Sequence, residues 1–489
     1  MKINYRRNSF LPLAAALALL VNHATAATWT WIGANNTTWE AGTNWFEGTI
    51  PAAANTTELI FSTANQSFIR NDRTIKSLTF TDSSDGQAQI ALSQSFTAGA
   101  ASRSLTFNSD SGNATLTVAS GSTGDKFILR TGTLFSNVNL TSSLDIVHNG
   151  SGTLNFGGQT IITGAGGINK SGTGTLSLQG SNTYLGATAV NAGTLSLDHA
   201  TNTLSSSSAV TVDGATAILS IGANSDTVGA VSLKNGGSIT GTGGTLTGAS
   251  YAVESGSVSA ILGGAGIALT KSTTGTVTLT GANTYTGDTT ITSGTLEVNG
   301  SLTGSASTVG NTGILKGSGS ITGAVAVQSG GTLAAGSSIE SLATGALTFD
   351  GGSTFGYELN NDAAPGVAGD LTAVTGTFTL AVANTTNITF TELGAGAWSA
   401  GEKLTLASYS GTWNGGLFNF GSVVADDSTI SFGGTDWTFN YNDTVAGSNF
   451  TSDLTGTNYV TITAVPEPGA VMSLLAGMGV LALVRRRRA

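Results

Sequence analysis

His148 and His199 are the only histidines beyond the first 26 residues, where His23 lies, and the chain contains no cysteine. Thiolate metal sites, cysteine nucleophiles and disulfide bridges are therefore excluded. A zinc centre or a Ser-His-Asp triad would have to be assembled around one of two imidazoles that are far apart in sequence. Each is expected to be a partly exposed turn residue. Carboxylates are abundant, and a glycosidase needs two of them across a cleft, but their mere presence discriminates nothing. Bases discriminate more, because a polysaccharide lyase needs a cation to neutralise the uronate and a base, commonly Lys or Arg. Lys170, Lys234, Lys271 and Lys316 are isolated, and no arginine lies between Arg130 and Arg485. A β-helical polysaccharide lyase or hydrolase is thus the alternative to a non-catalytic protein, and no motif for acyl or phosphoryl transfer is present. Between Leu59 and Ile162, Asp125, Lys126 and Arg130 are read as a close charge group, expected as a solvated turn. Asp426, Asp427 and Asp443 lack the spaced Asp-x-Asp-x-Asp-Gly loop of a calcium site. No catalytic residue, cofactor or metal is assigned.

The elements carrying these residues read as short strands. Gly174 to Gly186 is nearly repeated by Gly275 to Gly287, within copies that run from Lys170 to Leu197 and from Lys271 to Val298. In each copy apolar residues alternate with small hydroxylated ones: Leu176, Leu178, Val190, Leu195 and Leu197, then Val277, Leu279, Ile291, Leu296 and Val298. That is strand spacing with one buried and one wet face. Asn182 and Asn283, in matching turns, are expected to satisfy local backbone donors, and Tyr184 and Tyr285 to pack the same turns. Glycine is 69 of 489 residues and charged residues are 9%, against usual values of about 7% and about 25%. With 39% apolar content this composition implies an ordered, closely stacked body rather than a disordered chain. A solenoid with coils of about 25 residues would give roughly 17 coils and a rod on the order of 80 Å.

The pattern Lys-Ser-x-Thr-Gly-Thr, a strand, Gly-x-Asn-Thr-Tyr-x-Gly-x-Thr, a second strand and Gly-Thr-Leu resembles the autotransporter-associated β-strand repeat. Gly317 to Ile339 is similar to the stretch that often follows such repeats. The resemblance implies a right-handed parallel β-helix. Trp29, Trp31, Trp39 and Trp45 crowd residues 27–62 and are expected to cap the open end of the solenoid, where an exposed edge and core need cover. After Phe349 aromatics return and turns lengthen, which predicts an all-β region of larger coils or a small sandwich. The expected organisation is a signal peptide at 1–26, the cap at 27–62, the β-helix at 63–349, the C-terminal all-β region at 350–464 and a tail at 465–489.

Both ends read as addresses. Lys2, Arg6 and Arg7, an apolar run from Phe10 to Val21, and Ala24 and Ala26 at an A-x-A site describe a signal peptide for the Sec translocon. At the other end Pro466, Glu467 and Pro468 precede an apolar segment, Ala470 to Val484, followed by Arg485, Arg486, Arg487 and Arg488. This hydrophobic helix, with arginines kept inside, would anchor the protein transiently in the inner membrane. The arrangement resembles a PEP-CTERM sorting tail, which implies processing by an exosortase and a bacterium with extracellular polymer or biofilm. The formal charge of -10 becomes -16 once the basic ends and Glu467 are set aside. Such a surface repels phosphates and argues against nucleic acid as a partner. Extracellular polysaccharide or neighbouring cells are the expected contacts.

Overall fold

The computed structural model describes residues 27–465, apart from 35–36, 64, 84–87, 93–102, 130–135, 305, 363–365 and 367. The expected signal segment with Ala24 and Ala26, and the tail carrying Pro466, Glu467, Pro468 and Arg485 to Arg488, lie outside the described residues. Among the described residues the regular structure is strand, apart from a single turn of 3₁₀ helix at Gly42–Asn44.

Alternation of apolar and small polar residues sends every second side chain inward, and short turns rich in Gly and Asn bring each strand back above its predecessor. The product is a parallel β-helix. One ladder starts at Ala27–Trp31, runs through Thr57–Phe61 and Ser77–Phe80, and ends at Phe378–Thr379. A second starts at Thr37–Thr38 and ends at Phe418–Asn419. The third side of the coil forms strands in three separate runs, the last from Ala282–Asn283 to Lys403–Tyr409. Stacking in the first ladder places Ile146 beneath Lys170, followed by Val190, Val212, Leu233, Val253, Lys271 and Ile291. The two sequence repeats therefore occupy the same column, five coils apart.

Coils in this central part are shorter than 25 residues, since Val253 opposes Lys271 and Val190 opposes Val212. Towards the C-terminus they lengthen, with Leu347 opposite Phe378. The last region combines larger coils with an antiparallel sheet, in which Lys403–Tyr409, Asn458–Ala464, Thr435–Asp443 and Ser428–Phe432 lie side by side.

At the N-terminal end Trp31, Trp39 and Trp45 are buried, and the Trp31 ring stacks on Phe61 with centroids 5.6 Å apart. Trp39 and Trp45 meet edge to face at 5.7 Å. These rings occupy the volume above the first complete coil, where an open solenoid would expose its core, and their faces are turned to each other rather than to solvent.

Candidate functional site

Each repeat copy builds one full coil and the start of the next, and the polar residues that the two copies share meet at one corner. Asn182 Oδ1 accepts the Ile162 N–H of the coil below at 2.8 Å, while its amide donates to Gly180 O at 3.0 Å and to Thr203 O of the coil above at 2.7 Å. Asn283 accepts from Leu262 N at 3.0 Å and donates to Gly281 O at 3.0 Å. Tyr184 and Tyr285 turn inward, buried, with hydroxyls on Thr188 Oγ1 at 2.5 Å and Thr289 Oγ1 at 2.8 Å. Burial raises both phenols well above their usual range. Gly186 and Gly287 complete the corner, where an added Cβ would collide with backbone of the preceding coil. In this motif Asn joins coils, Gly lets them approach, Tyr and Thr bond within the turn, and both tyrosine rings are buried.

Two of the isolated lysines lie inside the stack. Lys170 and Lys271 fill inward positions of the apolar column and are buried. Their ammonium groups reach the turn carbonyls instead of solvent: Lys170 Nζ donates to Ser171 O, Gly172 O and Ala192 O at 2.9, 2.8 and 3.0 Å. Lys271 Nζ donates to Thr273 O and, at 3.1 Å, to Ser293 O of the next coil. Burial lowers the Lys170 ammonium to about 8 and lowers Lys271 as well. The signal lay in the alternation, because Lys170 follows Ile168, and Lys271 follows Leu269, by two residues and so shares the inward face.

The expected solvated charge turn at Asp125, Lys126 and Arg130 does not form. Lys126 is buried and meets Asp82 at 3.0 Å, while Asp125 accepts the Thr153 N–H at 2.8 Å; Arg130 lies outside the described residues. The expectation of a partly exposed turn histidine also fails at His148, which is wholly buried at the end of the strand Leu144–His148 with neither ring nitrogen hydrogen-bonded. Burial, then the charges of Lys170 and Lys126, push its pKa down to about 4. His199 remains partly exposed beside Thr201 O. Asp82, Lys126, His148 and Lys170 thus follow one another inside the stack of turns between the first and second ladders, with no accessible surface. Period-2 parity marks Lys126, His148 and Lys170 as inward, each two residues from Ile128, Ile146 and Ile168, but it does not reveal Asp82, which sits in a turn, or the stacking that brings the four together.

Other acids are absorbed by the framework. Asp370 is buried, its oxygens accept the N–H groups of Glu340 and Glu358 at 3.0 and 2.9 Å, and burial pushes its carboxyl up to about 8. Asp443 pairs with Lys403 at 2.7 Å, Asp426 accepts Tyr441 N at 2.9 Å and Asp427 accepts from Asn440 at 3.0 Å. Among the described residues no three His, Asp or Glu side chains gather as metal ligands.

What the repeats present outward is a wall of small hydroxyls. Ser196, Ser220 and Thr240 stand in register on successive coils of the second ladder, while Ser177 in the coil below is buried. Thr270, Thr290 and Thr308 do so on the first. Ser238 and Ser257 hydrogen-bond each other along the wall at 3.1 Å. On the third side a depression of about 170 Å3 lies between Ser320, Thr322, Thr344 and Thr375, smaller than the ~300–1,000 Å3 of an ordinary small-molecule site.

The family model described as passenger-associated-transport-repeat matches residues 168–197 and 269–298. No curated protein matches the chain. The chain therefore carries two autotransporter-associated β-strand repeats, which sit at equivalent places in one parallel coil stack and point to an exported, passenger-like protein.

Proposed function

We propose that this protein is an exported, non-catalytic component of the cell surface or extracellular matrix, an adhesin-like rod whose hydroxyl wall contacts biofilm polysaccharide or neighbouring cells. The observation that carries the proposal is the combination of transport-associated repeats with a stack whose polar motif residues are spent within and between coils, leaving the Ser and Thr columns as the repeated outward feature. In this reading the segment ending at Ala24 and Ala26 directs Sec export. The C-terminal helix then holds the protein transiently in the inner membrane, and an exosortase acts at Pro466, Glu467 and Pro468 with Arg485 to Arg488 on the inner side.

Incubating the protein with a panel of extracellular polysaccharides separates the classes. Saturable retention without cleavage is expected; reproducible cleavage of any polymer would establish an enzyme instead. For the tail, mass spectrometry of the native protein from its own cells is expected to find chains ending near the Pro-Glu-Pro sequence. Recovery of intact tail on most mature molecules would reject processing there.

A further inference from the structure

Lys126 Nζ lies 3.0 Å from Asp82 Oδ2, and the two side chains are 0% and 1% exposed. Asp82 belongs to the turn after Ser77–Phe80, and Lys126 opens the strand Lys126–Leu129, which stacks on the coil containing that turn. The pair therefore bridges two successive coils. Lys170 and Lys271 show what a lysine of this seam needs when it only supports the turn: carbonyl oxygens suffice, and neither has a carboxylate within ion-pair distance among the described residues. Lys126 also has its carbonyls, those of Thr123 and Gly124, and a carboxyl group is added. That carboxyl is poorly supported for a buried anion. Ser122 Oγ reaches Oδ1 at 3.2 Å, whereas Oδ2 accepts no hydrogen bond, so the Lys126 nitrogen approaches it off the hydrogen-bonding direction. Both groups are closed off from water and held in contact by the stacking of the two coils.

We propose that Lys126 and Asp82 condense to an intramolecular amide that staples one coil to the next. A proton passes from the Lys126 ammonium to the Asp82 carboxylate. The amine lone pair then forms a bond to Cγ, the C–O bond to the hydroxyl breaks, and that hydroxyl departs with a proton shed by nitrogen. The net change is loss of one water, with no oxidant, reductant or activated donor. His148, buried one coil above Lys126, is the group to which the proposal gives the transfer of the proton shed by nitrogen. A staple of this kind supplies to a chain without cysteine what a disulfide supplies elsewhere, by closing a loop that the unfolded chain would leave open.

The test is a tryptic map of the folded full-length protein. The expected product is a branched species joining peptides 77–103 and 104–130, one water lighter than their sum, with Lys126 uncleaved. Free 77–103 peptide together with ordinary cleavage after Lys126 would overturn the proposal. So would the same loss of water in a Lys126→Arg variant, because the loss would then come from another site. His148→Gln is expected to lower the stapled fraction several-fold at a fixed time after folding; an unchanged fraction would overturn the proton-carrying role given to the imidazole.

Discussion

Replacing His148 by glutamine is expected to remove an acid-linked weakness from the middle of the rod. The imidazole is buried between the lysines of neighbouring turns, and its pKa is about 4 rather than the ordinary 6.5. Between those two values the unfolded chain takes up a proton that the folded coil refuses, so unfolding becomes easier as pH falls from about 6.5 to about 4, and no further loss accrues below that. At about 1.4 kcal/mol for each pH unit crossed, the interval amounts to roughly 3 kcal/mol. A solenoid opens locally, so the suitable readout is amide hydrogen exchange in Leu144–His148 and Thr153–Phe156, followed in both proteins from pH 7 to pH 4. Intrinsic exchange chemistry and the titration of shared carboxylates cancel in the comparison, as does any constant cost of a buried amide. Opening in the wild type relative to the variant should grow on the order of a hundredfold as pH approaches 4. Identical pH dependence in the two proteins would refute the placement of a neutral imidazole in this seam.

Lys170→Met should flatten the alkaline side. With the ammonium lowered to about 8, the wild type gains stability as pH rises from about 8 towards 10.5, because the folded state sheds its proton first, by roughly 3 kcal/mol in all. Denaturant titrations across that window should show the gain in the wild type and none in the variant. Asn283→Ala strands the Leu262 N–H deep in the corner, while Gly281 O keeps the Ser301 N–H, and is expected to cost about 1–3 kcal/mol, measured by thermal unfolding. Gly287→Ala should be worse than Gly48→Ala, since the first drives a Cβ into the Ile267 carbonyl of the coil below and the second meets nothing within 4 Å. Only the left-handed φ of 69° penalises alanine at Gly48, by about 1 kcal/mol, so equal losses in the two variants would contradict the close coil contact.

Much of the architecture was legible because strand period and turn composition are local properties. Leu176 and Leu178, or Val277 and Leu279, name the inner face by parity alone, and the Trp residues before Ser62 mark the end of a stack that needs a cover. Coil length was less legible: a coil closes wherever a turn allows, and the central ones close earlier than a 25-residue period implies. The seam was least legible. His148 and Lys126 are polar letters beside turns, which on average face water, and the partner of Lys126 is Asp82, a coil away, rather than the adjacent Asp125. Contacts set by stacking cannot be seen in a one-coil window.

That seam also answers a difficulty peculiar to solenoids. A column of Val, Leu and Ile differs little from coil to coil, so an apolar ladder by itself tolerates slippage by a whole coil with small loss of burial. Buried polar groups do not tolerate it. Moving the coil of Lys126 by one step separates it from Asp82 and leaves a buried polar group without its partner, and moving the coil of Asn182 strands the Ile162 N–H and Thr203 O that it joins. Each such mismatch costs far more than an exchange of one aliphatic residue for another. The charged and amide residues therefore set which coil follows which, while the aliphatic column supplies cohesion, and the outer face is left free to carry hydroxyls at the coil spacing.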